Sequence, residues 1–472
     1  MRQLRVVGFL LVLTTTMAGQ SPAPGTLSVA ELTRRIDDYV TAYVKVNDFS
    51  GNVVLARDGK PLFLKSYGLA NREWQIPNAP DTKFRIGSIT KQFTSMLIMQ
   101  LREQRKLKLE DSICTYIARC PDAWKPVTLQ HLLTHTSGIV SHTSVPAWQA
   151  KNMMPHTTEQ VVDYVRDLPL RSKPGERFVY NNFGYYLLGM VVEKVTGTKY
   201  EDALKAQILT PLGMRDTGYD WPDTILPKRA AGYDGRAATL RNTRAIDMQS
   251  TLGSGAMYST APDMLKWDQA LYGDKLLPDA AKRMMWTPVL DNYAFGWEIA
   301  PASEKTFGQS RMSHSGGING FGANFIRVPE LRLTSIVMSN NEAIPATVMS
   351  NEILAIYYDQ PVKLPVPRMV AKVAPAILDR YVGKYQLPSG AILTISREGT
   401  RLFGDVTGPG KFELTAESET KFVSDTPETT ITFTVESGAA TQLVLNLAGR
   451  DRIAKRVRDE GQQQADEARQ PG

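Results

Sequence analysis

The sequence predicts an α+β fold: an antiparallel sheet flanked by helices, with a helical subdomain, over residues 27–360, then a small all-β domain over 376–458. Three observations predict it. Alternating apolar runs, the mark of a strand with one buried face, cluster at both ends of the first segment. Helix-period patterns fill its middle, and alternation alone returns beyond a proline-rich break near Gln360. A sheet assembled from the two ends of a segment around a helical insertion is the simplest layered solution for that order. With 472 residues, 42% of them hydrophobic, the chain can bury one large core and still form a second module.

Taken in order, Met1-Arg2-Gln3-Leu4-Arg5 is basic, Val6 to Leu13 is apolar and Thr16-Met17-Ala18 offers small residues, so residues 1–20 read as a secretory signal peptide. The mature protein is expected in the periplasm or secreted. The apolar run is shorter than the ~20 residues a spanning helix needs, and no later stretch replaces it, so no integral membrane span is expected. After a polar Ser21 to Thr26 linker the domain is expected to open with strands: "FSGNVVLARDGKPLFLKSYG" carries two alternating runs around Asp58-Gly59, a hairpin signal. From Lys91 the pattern turns helical, and "TLQHLLTHTSG" and "TTEQVVDYVRDL" add short helices with threonine start signals. "SKPGERFVYNNFGYYLLGMVVEKVTG" reads as a turn, an extended piece and a helix ending near Gly197. Thr260 and Asp263 fit a capping box with Pro262 in the first turn, and "GFGANFIRVPELRLTSIVMSN" restores a strand hairpin. Residues 361–375 form a linker, the β module should have about six to eight strands from its turn spacing, and the polar residues 459–472 read as disordered.

Three short motifs carry chemistry. Ser88 and Lys91 lie three apart at the head of the helical run, so they share a face, and the amine can activate a hydroxyl that is a poor nucleophile by itself. The plain alternative is a helix cap followed by a surface lysine, and Ser418 with Lys421 matches the same spacing inside the β module. A serine at a helix start also offers its own N–H as an oxyanion donor. Tyr180-Asn181-Asn182 contains the only Tyr-x-Asn in a chain with 18 tyrosines. A phenol with an ordinary pKa of about 10 becomes a base only if cations such as Lys91 stabilise its phenolate; otherwise Tyr180 is a half-buried aromatic. His314-Ser315-Gly316-Gly317 holds the only His-x-Gly, where a strand enters a glycine-rich turn along which a substrate can lie, and the Gly317 N–H is a second oxyanion donor.

Ser88-x-x-Lys91, Tyr180-x-Asn182 and His314-x-Gly316 occur in that order, 92 and 134 residues apart. Together they resemble the three motifs of class C β-lactamase-like serine hydrolases, which include β-lactamases, D-alanyl-D-alanine carboxypeptidases, D-aminopeptidases and esterases. "VTLQHLLTHTSGI" and "PLGMRDTGY" also resemble family signatures, so the likeness covers roughly Leu27 to Tyr358. The β module, with "LDRYVGKYQL" and "GRDRIAKRV", is similar to the lipocalin-like domain that often follows this hydrolase domain. The resemblance implies a serine β-lactamase/penicillin-binding-protein-like fold with Ser88 as nucleophile and Lys91 and Tyr180 as the proton-transfer pair. Asn182, His314 and Gly316 would contact substrate, and the Ser88 and Gly317 N–H groups would form the oxyanion site. β-Lactamases and carboxypeptidases of the family usually have lysine where this chain has His314. A histidine is mostly neutral at pH 7, which weakens the hold on a substrate carboxylate.

The leading expectation is thus an exported hydrolase acting through a Ser88 acyl-enzyme on esters or small or D-amino-acid amides, with no cofactor. A peptidoglycan carboxypeptidase or β-lactamase is the enzymatic alternative. A penicillin-binding sensor that does not turn over, or a scaffold, is the non-enzymatic one. The net charge of +7 is spread without long basic runs, so nucleic acid is not an expected partner. His131 and His135 are four apart but lack the third ligand and neighbouring glutamate of a zinc site. Cys114 and Cys120, the only cysteines, are expected to form a disulfide in an oxidising compartment. Six residues of straight helix would separate their Cα atoms by about 9 Å, beyond the roughly 7 Å a disulfide spans, so the chain must turn between them.

Overall fold

The computed structural model describes residues 26–235, 239–365, 371–388, 390–406, 410–425, 428–447 and 450–457. The expected signal peptide and the polar tail lie outside the described residues, as does part of the linker.

The chain does not open on a strand. Helix α1 (Val29–Asn47) comes first, capped by the Ser28 side chain, which accepts the Glu31 N–H. Leu32, Ile36, Tyr39, Val40 and Tyr43 are buried on one face, a three-to-four-residue period present in the sequence but passed over in favour of the hairpin beside it. The hairpin follows as β1 (Gly51–Arg57) and β2 (Lys60–Tyr67). Asp58 and Gly59 turn it with φ of 51° and 69°, the left-handed pair that suits the twist of a two-residue loop.

The other end of the domain supplies β3 (Glu298–Ala300), β4 (Arg311–Ile318), β5 (Phe321–Val328) and β6 (Leu333–Ser339). One antiparallel sheet results, in the order β3-β4-β5-β6-β1-β2, with Gly51 opposite Ser339 and Leu55 opposite Ser335. Both faces of its centre are covered. Val54 and Ala56 of β1, with Ile336 and Met338 of β6, face the helical region, whereas Val53, Leu55, Leu333 and Val337 pack beneath α1. The C-terminal helix α4 closes that second face (Ala346–Tyr357). Each such side chain contributes roughly 1.5–3 kcal/mol when fully buried.

In the helical region α2 (Thr90–Glu103) is buried from Thr90 through Met99, and several of its polar side chains bond to neighbouring elements. Gln92 accepts the Trp267 indole N–H at 2.9 Å, and the Thr94 hydroxyl meets the Tyr200 hydroxyl at 2.7 Å. Helix α3 (Asn182–Thr196) ends at Gly197, in the left-handed conformation that commonly stops a helix. The Ala261–Ala270 helix has only half of the expected capping box. Thr260 caps Asp263, but the Asp263 carboxylate turns away to accept from the Asp216 N–H and the Thr217 hydroxyl. Cys114 and Cys120 are joined, with Cα atoms 5.2 Å apart across a 3-10 turn and the loop after it.

Eight further strands, from Gly383–Gln386 to Arg450–Val457, form a closed barrel in which the first pairs with the last, Tyr385 opposite Arg456. Its interior is filled by its own side chains, among them Tyr381, stacked on Phe433 at 4.2 Å, Tyr385, Phe422 and Leu443.

Candidate active site

Ser88 sits on a single 3-10 turn, Gly87–Ile89, that runs directly into α2. The turn is wedged against β4. Gly87 adopts φ 50°, and a Cβ there would lie 2.8 Å from the Gly317 nitrogen; a Cβ on Gly316 would lie 2.0 Å from the Ile86 carbonyl oxygen. Only glycines let the two backbones meet. Gly316 therefore faces the serine turn and not a substrate, which changes the part expected of it. Gly317 has open space where its Cβ would be and borders the cavity in front of Ser88, so its backbone lies beside the serine as a two-donor oxyanion site needs.

One helical turn on, Lys91 Nζ lies 3.0 Å from Ser88 Oγ, 2.8 Å from Asn182 Oδ1 and 2.8 Å from the Ser254 carbonyl oxygen. The side chain is fully buried, and burial holds its pKa well below the ordinary lysine value. A neutral amine has two N–H bonds and one lone pair. Both carbonyl oxygens can only accept, so they take the N–H bonds, and the lone pair is left for the Ser88 hydroxyl proton.

The Tyr180–Asn182 loop is fixed from behind. The Asn181 side-chain oxygen accepts the Phe183 N–H at 2.8 Å and caps α3, its backbone N–H donates to His135 Nδ1 at 3.1 Å, and its amide donates to the Ile139 carbonyl at 2.6 Å. Tyr180 exposes 40% of its surface while its hydroxyl end is enclosed beside Ser88. Burial raises its pKa, and the Ser88 hydrogen bond offsets only part of that. The Lys91 nitrogen lies 4.9 Å from the ring centroid, over the face. A phenolate stabilised by Lys91 is thus not the resting arrangement; Tyr180 stands as a neutral phenol, and burial favours the neutral form of Lys91 beside it.

His314 is 1% exposed. Its Nδ1 lies 2.6 Å from the Ser315 carbonyl and must carry the proton, so Nε2 accepts from the Tyr293 hydroxyl at 2.9 Å. Both nitrogens are occupied, and the direct substrate contact expected of His314 is replaced by a buried brace between β4 and Tyr293. Burial, with the nearby Lys91, pushes its pKa down to about 3. A cavity of about 250 Å³ opens in front of Ser88, bordered by Asn182, Ser254, Gly317, Trp148 and Glu342.

Residues 36–356 match the Beta-lactamase family, and the chain is 31% identical over 443 residues to Penicillin-binding protein 4* of Bacillus subtilis (strain 168), covering 87% of this chain and 96% of that protein. The chain belongs to the Beta-lactamase family. It is accordingly a serine hydrolase. Residues 367–460 match a domain of unknown function, DUF3471. The teichoic acid D-alanine hydrolase of Staphylococcus aureus is 27% identical over 280 residues, covering 58% of this chain and 68% of that protein. Among solved structures, an octameric penicillin-binding protein homologue from Pyrococcus abyssi superposes with a TM-score of 0.62 at 25% identity, covering 91% of this chain and 100% of that one.

In this Beta-lactamase family member several site-building residues escaped motif reading. Ser254 contributes a carbonyl oxygen, which any residue type has, and so left no mark. Tyr293 stood in no motif. His135, which lacks the partners of a zinc ligand, is buried among Tyr180, Tyr185 and Tyr293, with ring centroids 4.3–5.1 Å away, and holds the Asn181 N–H. The companion His131 caps its own helix, accepting the Thr128 N–H at Nδ1.

These buried imidazoles predict acid lability. His314 and His142, the latter buried with Nε2 3.0 Å from the Ser250 carbonyl, are both pushed down to about 3, chiefly by burial, so between about pH 6.5 and 3 the unfolded chain binds protons that the folded chain refuses. Stability should therefore fall as the pH drops through that window. Thermal unfolding measured from pH 7.5 to 4 should show Tm decreasing, and a flat Tm would contradict the neutral, buried assignment.

Proposed function

We propose that this serine hydrolase is exported and works through an acyl-enzyme on Ser88, with esters or small or D-amino-acid amides as substrates. The observation that carries the reading is the Lys91 environment. Two carbonyl oxygens accept from its nitrogen, which lies 3.0 Å from Ser88 Oγ, so that in the neutral form burial favours the lone pair is left for the Ser88 hydroxyl. As Ser88 Oγ attacks the carbonyl carbon, its proton passes to Lys91, and the negative oxygen rests on the Ser88 and Gly317 N–H groups. Tyr180, protonated and beside Ser88, hands a proton to the departing amine or alkoxide and is recharged from Lys91. Water then attacks the ester, Oγ leaves with a proton, and the acid is released. Asn182 holds Lys91 and borders the substrate space.

No lysine or arginine borders the cavity among the described residues, and His314 is neutral. That favours substrates whose recognition does not rest on a carboxylate over penicillins or D-Ala-D-Ala peptides. The relatives named for penicillin binding and for teichoic acid D-alanine hydrolysis bracket these alternatives. Among the described residues no helix is long and apolar enough to cross a membrane. The barrel, which contributes none of these groups, is proposed as a separable module.

A fluorophosphonate probe should add its mass to the peptide containing Ser88, and Ser88→Ala should abolish both labelling and hydrolysis of p-nitrophenyl acetate in a folded protein. Labelling of Ser315 or Ser418 with Ser88 untouched would overturn the assignment.

A further inference from the structure

The cavity in front of Ser88 has one charged side chain on its border among the described residues, and it is acidic. Glu342 follows β6 on a loop that is held rigidly. Asn340 donates to the Leu69 and Ala231 carbonyls at 3.0 and 2.9 Å, Asn341 donates to the Gly235 carbonyl at 3.1 Å and accepts the Ala343 N–H at 3.1 Å, and the Glu342 N–H donates to the Tyr233 carbonyl at 3.0 Å. One carboxylate oxygen accepts the Gly320 N–H at 2.9 Å, which ties the loop to the tip of the β4–β5 hairpin. The same hairpin presents Gly317, Ile318 and Asn319 to the cavity.

That single bond satisfies one oxygen only. A residue needed merely to fasten Gly320 would need one acceptor, which a serine or asparagine provides without placing a charge at the cleft. Among the described residues no cation forms an ion pair with Glu342. Among the described residues the charged groups acting on it are Asp234 and Arg241, and Arg241 is itself paired with Asp234. Burial raises the Glu342 pKa and Asp234 adds to that, while the Gly320 N–H and Arg241 offset part of the rise. Asn319 supports the same polarity. One of its amide N–H bonds goes to the Arg244 carbonyl at 3.0 Å, and its oxygen remains available to accept. The cavity thus pairs a donor end, at Ser88 and Gly317, with an acceptor end at Glu342 and Asn319.

We infer that Glu342 is a specificity residue that receives the free ammonium group of an aminoacyl ester or amide while the acyl carbonyl lies against Ser88. This rests on the Ser88 acyl-enzyme reading and narrows its substrates to acyl groups bearing an unmodified amine. An N-acylated or deaminated acyl group offers the carboxylate no charge, and a carboxylate-bearing one is repelled.

The test compares three p-nitroanilides with one leaving group: D-alanyl, N-acetyl-D-alanyl and propionyl. Wild type should turn over the D-alanyl compound with kcat/KM about tenfold or more above the other two, the span of one charge-assisted hydrogen bond. The preference should fade as the pH rises through the substrate's amine pKa, near 7.7–8.0 for an α-amino group. In Glu342→Gln, which retains an acceptor for Gly320, the ratio of D-alanyl to propionyl turnover should fall by about tenfold or more. A wild-type ratio near one, or a ratio unchanged in the variant while Ser88 labelling persists, overturns the ammonium site and leaves the hydrolase reading intact. If neither labelling nor hydrolysis depends on Ser88, the reading beneath it fails and the site with it. Should the variant not fold, the wild-type ratio and its pH dependence decide.

Discussion

Lys91→Met should lower the rate of Ser88 acylation by about 10²–10⁴-fold, the range a positioned general base provides. The substitution keeps a straight side chain in the same space but removes the lone pair facing Ser88 Oγ. It also strands the Asn182 and Ser254 oxygens, which now receive the two N–H bonds. Each buried acceptor left without a donor costs roughly 1–3 kcal/mol, so Tm should fall together with the rate. Burst kinetics with a p-nitrophenyl ester separate the two effects, because a base loses rate in the acylation phase whereas a purely structural lysine loses burst amplitude as protein unfolds. Acylation as fast as wild type in folded Lys91→Met would remove lysine from the mechanism.

Gly316→Ala should be nearly as damaging although it alters no side chain with chemistry. Its Cβ would stand 2.0 Å from the Ile86 carbonyl oxygen, backbone against backbone, so neither partner can rotate away. Relief requires β4 to move off the Ser88 turn, carrying the Gly317 N–H with it. Loss of one oxyanion donor costs about 10²–10³-fold in kcat, and the expected result is a loss of that size in kcat with KM changed far less. Gly317→Ala is the internal control. Its Cβ would meet nothing within 4 Å of the surrounding protein, so the fold should hold and the change should fall on substrate entry. Equal kcat in Gly316→Ala and wild type would refute this account of the glycine pair.

Much of this architecture is legible in the sequence itself. Periodicity located both hairpins because alternate side chains of a strand share a face, although β1, β5 and β6 turn out to be buried on both faces, and three-residue spacing brought Ser88 and Lys91 to one helix face because helical geometry requires it. The first helix was missed for a physical reason: a surface helix with a narrow apolar stripe reads weakly next to a strong Asp-Gly hairpin. The state of the titrating groups was also out of reach. Whether Lys91 is charged depends on a burial that long-range packing creates, and the inward rotation of His314 depends on Tyr293, a residue 21 positions away in no recognisable pattern. Glu342 was equally silent, since its place beside Ser88 exists only once β6 lies next to β1.

That last adjacency governs when the protein can become reactive. β1 finds its neighbour β6 only after residues 333–339 have been made, with Gly51 waiting for Ser339. Contacts so distant in sequence slow folding, because the loop must close before any pairing repays it. Ser88 and Lys91 leave the ribosome early, yet Ser254, Gly317 and Glu342 reach them only when nearly the whole domain has been synthesised. A nascent chain therefore carries a serine with none of the surrounding groups yet assembled around it. Reactivity toward acyl donors arrives with the closing of the sheet, so acylation by a reagent supplied during refolding would report on that closing step residue for residue.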